Sequence, residues 1–306
     1  MPDGRAGHAP PLHTSFRPRL PTDLRLTLRP LRRGFPDPCF RVRDDGVWRA
    51  MRTPEGPATT RMWIEDGKVH VEAWGAGAPS ALEQAPAVCG ALDQVDGFTP
   101  VHPIVRELSR RFVGLRLPRT GAILESLVPS ILEQKVPGAQ AWAAYRSLVY
   151  ELGERAPGPG GLRLQPTAEV LAATPYWTYH RFGVERRRAD LIRLAASRSR
   201  RLEEAAAMEP EAARSRLRAL PGIGPWTAAE VTAIVLGDPD AVSIGDYHIP
   251  HTVSWALAAE PRGSDERMLE LLEPYRGHRG RVIRLLEAAG IAAPRRGPRL
   301  PLRTLD

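Results

Sequence analysis

The sequence predicts an α+β protein, with a small antiparallel β domain followed by a larger helical domain. Three observations predict it. Short segments that alternate apolar and polar residues, separated by turn residues, cluster in the first third of the chain. Longer stretches with apolar residues at helical spacing fill the rest. The 306 residues are about two domains' worth at roughly 150 residues each. With 42% hydrophobic residues, both domains can bury cores, which excludes wholesale disorder.

Residues 1–20 are rich in Pro, Arg and His without periodicity and read as a disordered arm. The β domain is placed at 21–100. Leu24–Leu28, Cys39–Arg43 and Val47–Met51 alternate as strands do, and Arg61–Glu65 and Val69–Trp74 flank an Asp66-Gly67 turn, a hairpin signal. Gly75–Ser80 breaks the pattern, and Ala85–Leu92 reads as a short helix. The helical domain is placed at 101–292. Its helices are expected at His102–Phe112, Ala122–Gln134, Ala139–Leu152, Thr167–Ala173, Arg186–Arg201, Leu202–Met208, Glu211–Leu220, Pro225–Leu236, Ile249–Ala259, Asp265–Leu272 and Gly280–Ala289, with a Pro/Gly loop at Ala156–Gly161. Residues 293–306 read as a flexible tail.

Composition narrows the function. No run of 18 apolar residues exists, so no membrane-spanning helix is expected. The N-terminus lacks an apolar signal region, and Cys39 and Cys89 supply neither a disulfide framework nor a four-thiolate metal site. A cytoplasmic setting is the expectation. The net charge of +8 permits an anionic partner without proving one. Of 43 basic residues only Lys68 and Lys135 are lysine, so amine nucleophiles are scarce. GC-rich coding accounts for that bias as readily as chemistry does.

The most informative segment is Leu217–Val231, which contains Leu-Pro-Gly-Ile-Gly-Pro-Trp-Thr-Ala. A helix ends at Leu220, a turn follows, and a second helix opens with Pro225 in its first turn. Gly222 and Gly224 let the backbone turn tightly and approach a partner, while Ile223 plugs the turn into the core. N–H groups at such a turn and helix start suit a phosphate oxygen, a contact that positions without reading sequence. An ordinary helix–turn–helix corner is the structural alternative.

This segment resembles the hairpin of the helix-hairpin-helix DNA glycosylases, and within that superfamily the chain looks most like the AlkA-type 3-methyladenine DNA glycosylases. The resemblance covers roughly 110–290 well and 20–100 loosely. It implies a TBP-like antiparallel β domain ahead of the helical glycosylase domain, and a catalytic aspartate after the hairpin, matched here by Asp246. It also implies a segment that fills the gap left by an extruded base, matched by Gln134, Lys135 and Val136. Hairpin contacts to DNA fall on Gly222, Ile223, Gly224 and Thr227. The resemblance allows a monovalent cation at the hairpin, with no cofactor required.

A carboxylate at Asp246 suits N-glycosidic cleavage, because it stabilises positive charge developing on the sugar and can orient water. Capping of the helix near Ile249 is a compatible second role. Asp238 and Asp240 lie in a turn-like Gly-Asp-Pro-Asp and suit turn roles better. Bifunctional members carry a Schiff-base lysine where this chain has Trp226, so water is the expected nucleophile and no lyase step is expected. Trp226 offers a flat wall for an electron-poor base, or is a core residue. Tyr176, Trp177, Tyr179, Tyr247 and Tyr275 are candidates to complete the base pocket, with core packing as the alternative for each.

Two departures from the AlkA pattern stand out. Glu230, one turn after Trp226, replaces an aromatic. It would meet an amine or cation on the base, sit buried and protonated, or be a solvated helix residue. Lys135 stands where an apolar wedge is expected, which shifts gap filling towards Gln134 and Val136. His248 and His251 suit phosphate or opposite-strand contacts better than a metal site. Arg186–Arg188, Arg193, Arg198, Arg200 and Arg201 track a phosphate backbone or form a solvated face.

Together these imply a monomeric base-excision repair enzyme that acts on alkylated purines flipped from duplex DNA in the bacterial nucleoid. The alternatives are a glycosylase for deaminated or other non-alkylated bases, for which Glu230 discriminates, and an inactive lesion or junction binder, against which Asp246 argues.

Overall fold

The computed structural model describes residues 9–294. Five strands, β1 (Leu12–Phe16), β2 (Phe40–Arg43), β3 (Gly46–Thr53), β4 (Gly56–Glu65) and β5 (Lys68–Trp74), form one sheet in the order β1-β5-β4-β3-β2. Every neighbouring pair is antiparallel. Asp66 and Gly67 join β4 to β5 with φ of 49° and 69°. Left-handed geometry at both positions gives the hairpin twist that Asp-Gly favours.

Three expectations for the β domain are corrected. The expected disordered arm is ordered over 12–16, which is strand β1: Leu12 pairs with Ala73 and Phe16 with Val69, covering the open edge of β5. Residues 1–8 of that arm, and the tail from 295 onward, lie outside the described residues. Leu24–Leu28 is helix α1, not a strand. Asp23 caps it by accepting from Leu26 N at 3.1 Å, and Leu24, Thr27 and Leu28 form its buried face. The helix expected at Ala85–Leu92 begins earlier, as α2 (Ala78–Val88), because Gly77 and Pro79 start it.

The remaining helices are α3 (Pro103–Arg111), α4 (Ile123–Leu132), α5 (Gly138–Leu152), α6 (Ala168–Ala173), α7 (Tyr176–Arg181), α8 (Arg186–Ser197), α9 (Ser199–Glu203), α10 (Pro210–Arg218), α11 (Pro225–Val235), α12 (Ile249–Ala258), α13 (Asp265–Leu272) and α14 (Arg279–Ala288). The expected basic helix over 186–201 breaks at Arg198. The aromatic run at Tyr176 is itself helical. One short pairing, β6 (Glu154–Arg155) with β7 (Arg163–Leu164), interrupts the helices. It brings Leu162 and Leu164 against Trp48 and Trp74 of the sheet.

The helices build two cores. One gathers Ile123, Leu127 and Ile131 of α4 with Leu148, Ile192, Leu217 and Val231. The other gathers Val105, Leu108, Val253, Met268, Leu272 and Val282 from α3 and α12–α14. The segment between α11 and α12 is the strap from one core to the other, and Asp246 lies on it. Two ion pairs fix the surrounding layers. Arg49 of β3 meets Glu125 of α4, and Arg281 of α14 holds Asp93 at 2.7 and 2.9 Å. Glu203 caps α4 by accepting from Ile123 N and Leu124 N, each at 2.8 Å.

Candidate active site

Helix α10 ends at Arg218, and the chain reverses through Leu220–Gly224 into α11. Gly222 has φ +98°, and a Cβ there would stand 3.0 Å from the Leu191 side chain. Both conditions call for glycine. Ile223 is buried in the first core, contributing about 1.5–3 kcal/mol of burial that seats the turn. Gly224 differs: its φ is −93° and nothing lies within 4 Å of a Cβ built there. The protein itself therefore does not require glycine at this position. The first-turn N–H groups of α11 lack intrahelical acceptors and begin here.

Gln134, at the end of α4, is tied to this turn. Its Nε2 donates to Gly222 O at 3.2 Å and to Thr227 Oγ1 at 2.9 Å. The amide is thus a brace for the hairpin rather than a free wedge. Val136 is partly buried and packs against the first core. Lys135 is exposed, with φ +57°. Thr227 is 2% exposed, so its side chain serves the brace and not a DNA contact. Ile223 is likewise withdrawn as a side-chain contact, leaving only its backbone at the surface.

Asp246 is fixed by three donors. Oδ1 accepts from His248 N at 2.7 Å and Ile249 N at 2.8 Å, which caps α12. Oδ2 accepts from Trp226 Nε1 at 2.9 Å. Gly245, at φ +88°, makes the turn before it, with its N–H on Asp265 Oδ2 at 2.9 Å. Trp226 is half-buried beside the carboxylate. Asp238 and Asp240 take the turn roles expected of them. Asp238 accepts from Asp240 N and binds Arg214, and Asp240 accepts from Gly277 N and Arg279.

Glu230 is neither solvated nor free. It accepts from Ser243 Oγ and lies 3.9 Å from Arg284. Burial pushes its carboxyl up, against the pull of Arg284 and Ser243. With Ile249, Ile283 and Leu117 these residues line a crevice of about 10 Å³ between the two cores. Ser243 and Arg284 were not singled out from sequence. Ser243 lies three residues before Asp246, a proximity that could have marked it, whereas Arg284 carries no local signal.

The aromatic candidates divide. Tyr179 is fully buried in the first core with its hydroxyl on Leu171 O at 2.8 Å. Tyr275 is buried in the second, its hydroxyl 2.9 Å from His102 N. Both are core residues, not pocket walls. Tyr176 and Trp177 sit on α7, which packs on α8. Tyr176 is engaged by His180 and Arg186, and Trp177 is 71% exposed. Tyr247 is exposed beside Asp246, its ring edge-on to His248 at 4.9 Å. His251 accepts from Gly263 N through Nδ1 at 3.1 Å, which occupies it with its own fold. Among the described residues, no group of three or more His, Cys, Asp or Glu is placed to hold a metal. Arg188, expected on a phosphate-tracking face, is buried and donates to Leu132 O at 2.7 Å, closing the end of α4.

Comparison with known proteins gives a consistent fold. No family model matches the chain. It is 32% identical over 147 residues to the Mycobacterium tuberculosis protein described as a probable bifunctional transcriptional activator/DNA repair enzyme AlkA, a match covering 47% of this chain. The chain spans only 29% of that relative's length. A 3-methyladenine DNA glycosylase from Archaeoglobus fulgidus superposes with a TM-score of 0.74 at 19% identity, covering 90% of this chain and 97% of that one. An 8-oxoguanine glycosylase/lyase from Clostridium acetobutylicum, solved with double-stranded DNA, superposes at 0.69 with 12% identity, covering 92% and 98%. The chain thus shares its fold, a sheet domain followed by a helical domain, with these solved DNA glycosylases. Among the described residues, no helix is long and apolar enough to cross a membrane.

Proposed function

We propose that this chain, which carries the helix-hairpin-helix glycosylase fold, is a monofunctional DNA glycosylase that removes alkylated purines flipped from duplex DNA. The observation that carries the reading is the Asp246 carboxylate, held by Trp226 and the start of α12 next to a hairpin open at Gly224. The hairpin and Lys135 hold phosphates on the strand that bears the lesion. A base turned out of the stack meets the Trp226 face, which favours an electron-poor alkylated purine. As the C1′–N bond breaks, positive charge grows on the sugar, and Asp246 stabilises it where it develops. Its oxygens keep lone pairs free of their present donors for the sugar or an attacking water. Water is the nucleophile, since position 226 is tryptophan and the two lysines stand on β5 and at the end of α4. A monovalent cation at the hairpin would be held by backbone carbonyl oxygens, of which Gly222 O already serves Gln134, Leu220 O serves Ile223 N and Gly224 O serves Ala228 N.

The test is release of N3- and N7-methylpurines from a labelled duplex by the wild type and by Asp246→Asn. The wild type is expected to release them, and the variant to slow by on the order of 100- to 1,000-fold. Equal release by both would end the assignment. Binding without release by the wild type would favour an inactive lesion binder. Borohydride trapping of a protein–DNA adduct would overturn the water mechanism.

A second reading rests on the Glu230–Ser243–Arg284 cluster. The crevice these residues line, about 10 Å³, has room for one water and not for a base. This reading therefore has the cluster act from behind the pocket, as an acceptor and a cationic donor that favour a neutral base such as a deaminated purine. Glu230→Gln would then change deaminated-base excision and spare methylpurines.

A further inference from the structure

Next to the brace at Gln134 the sheet domain offers an exposed aromatic. Phe35 is 80% exposed, at the tip of the loop that joins α1 to β2. The loop is built firmly beneath it. Asp37 is buried and accepts from Arg33 N at 2.5 Å and from Cys39 N at 2.7 Å. Arg32 Nε donates to Gly34 O at 2.8 Å, and the Arg32 guanidinium lies 5.1 Å from the Phe35 ring centre. Gly34 has φ +74° and presses on the Trp142 ring so closely that a Cβ there would come within 2.7 Å. Trp142 Nε1 donates to Glu133 Oε1 at 3.3 Å, and Arg33 reaches the same oxygen at 3.9 Å. Glu133 immediately precedes Gln134 and Lys135. Contacts therefore link the Phe35 loop, through Trp142 and Glu133, to the segment that carries Gln134 and Lys135.

The charge along this ridge fits one class of partner. Arg32 is exposed and Arg33 half-buried, with no acidic residue between 29 and 36; the acid that faces them is Glu133, 3.9 Å from Arg33. A rigidly mounted aromatic among arginines stacks on nucleobases, with the cations meeting phosphates. Leaving about 80% of a phenylalanine in water forgoes burial worth roughly 1.5–3 kcal/mol, and within the loop the ring is met by the Arg32 guanidinium rather than by an apolar core. We infer that the Arg32–Phe35 loop is a second DNA-contacting element, in which Phe35 stacks on a nucleobase of the duplex beside the lesion. This rests on the DNA-binding reading above and gives the sheet domain a part in it.

The experiment measures binding to a duplex with a stable abasic-site analogue, by anisotropy, for wild type, Phe35→Ala, Phe35→Trp and the hairpin variant Gly224→Asp. A 2-aminopurine is placed at each position around the lesion in turn. Phe35→Ala is expected to lose about tenfold in affinity, with Phe35→Trp within about twofold of wild type. One 2-aminopurine position is expected to respond to wild type and not to Phe35→Ala, with the melting temperature unchanged. If Gly224→Asp binds weakly while Phe35→Ala binds as wild type, the Phe35 proposal falls and the hairpin reading stands. If both bind as wild type, the DNA-binding face itself is wrong. If Phe35→Ala changes only the sedimentation of the free protein, the ring covers a second copy of the chain and the proposal is overturned.

Discussion

The indole Nε1 of Trp226 donates to Asp246 Oδ2 at 2.9 Å, so the wall and the carboxylate of the candidate site form one hydrogen-bonded unit. A hydrogen bond to a charged group is worth about 1.5–3 kcal/mol, and here it aims the carboxylate. Trp226→Phe keeps an aromatic face and deletes the donor. Its single-turnover rate of base release is expected to fall about 10- to 100-fold with DNA affinity preserved. A rate within about twofold of wild type would show that the bond does not position Asp246 for chemistry.

Gly222 and Gly224 stand two residues apart and answer to different constraints. Gly222→Ala places a side chain at φ +98° against Leu191, so it should cost about 1–2 kcal/mol of stability. Gly224→Ala keeps an ordinary backbone and meets open space, so stability should stay within about 0.5 kcal/mol. DNA affinity should nonetheless drop for Gly224→Ala, because on the function proposed above the added methyl stands in the open space a phosphate would enter. Denaturant melts and duplex titrations of the two variants check this. Loss of stability at Gly224, or undiminished binding, would contradict it.

Much of the fold was legible because local chemistry and tertiary packing agreed. Asp66-Gly67 fixed the β4–β5 hairpin, and the apolar face of Ile123–Leu132 is the face that α4 buries. Leu24–Leu28 misled because residues 24 and 28 are apolar under both a two-residue and a helical period, and the Asp23 cap decided between them. β1 needed a partner edge supplied some sixty residues away, which no local pattern reports. At the site, the turn at Leu220–Gly224 stands where the motif puts it, and Asp246 and Trp226, which the resemblance singles out, stand side by side. Tyr179 and Tyr275 were not separable from pocket residues, because a tyrosine satisfied by a backbone partner looks the same in sequence as one facing a ligand. Gln134 was expected as a wedge, and only the three-dimensional arrangement shows its amide spent on Gly222 and Thr227. Glu230 was singled out, but its partner Arg284 lies more than fifty residues on.

Lys135 holds an exposed charge on a left-handed backbone, at φ +57°, just beyond the brace. Strain of roughly 1–2 kcal/mol at a non-glycine residue is accepted where, among the described residues, no hydrogen bond or ion pair holds the lysine amine. On the function proposed above, the amine meets a phosphate. Lys135→Gln should lower the slope of log affinity against log salt by about 0.9 without shifting the melting temperature. An unchanged slope would place Lys135 off the DNA path.

Asp37 gives the Arg32–Phe35 loop a pH signature that needs no DNA. Burial raises its carboxyl from 3.8 to about 6, against two backbone N–H donors and the charges of Arg33 and Arg32. Because the folded value lies above the unfolded one, the folded state holds the extra proton. The stability gained from that proton is complete below pH 3.8 and is lost as the pH rises through about 6. The shift corresponds to about 3 kcal/mol, and Asp37 is 3% exposed, so solvent screens little of it. Relative to Asp37→Asn, the wild type should lose stability between about pH 4 and 7, read as diverging denaturant midpoints. Parallel profiles for the two proteins would mean that Asp37 ionises without cost, and that the loop beneath Phe35 is more open to water than its hydrogen bonds indicate.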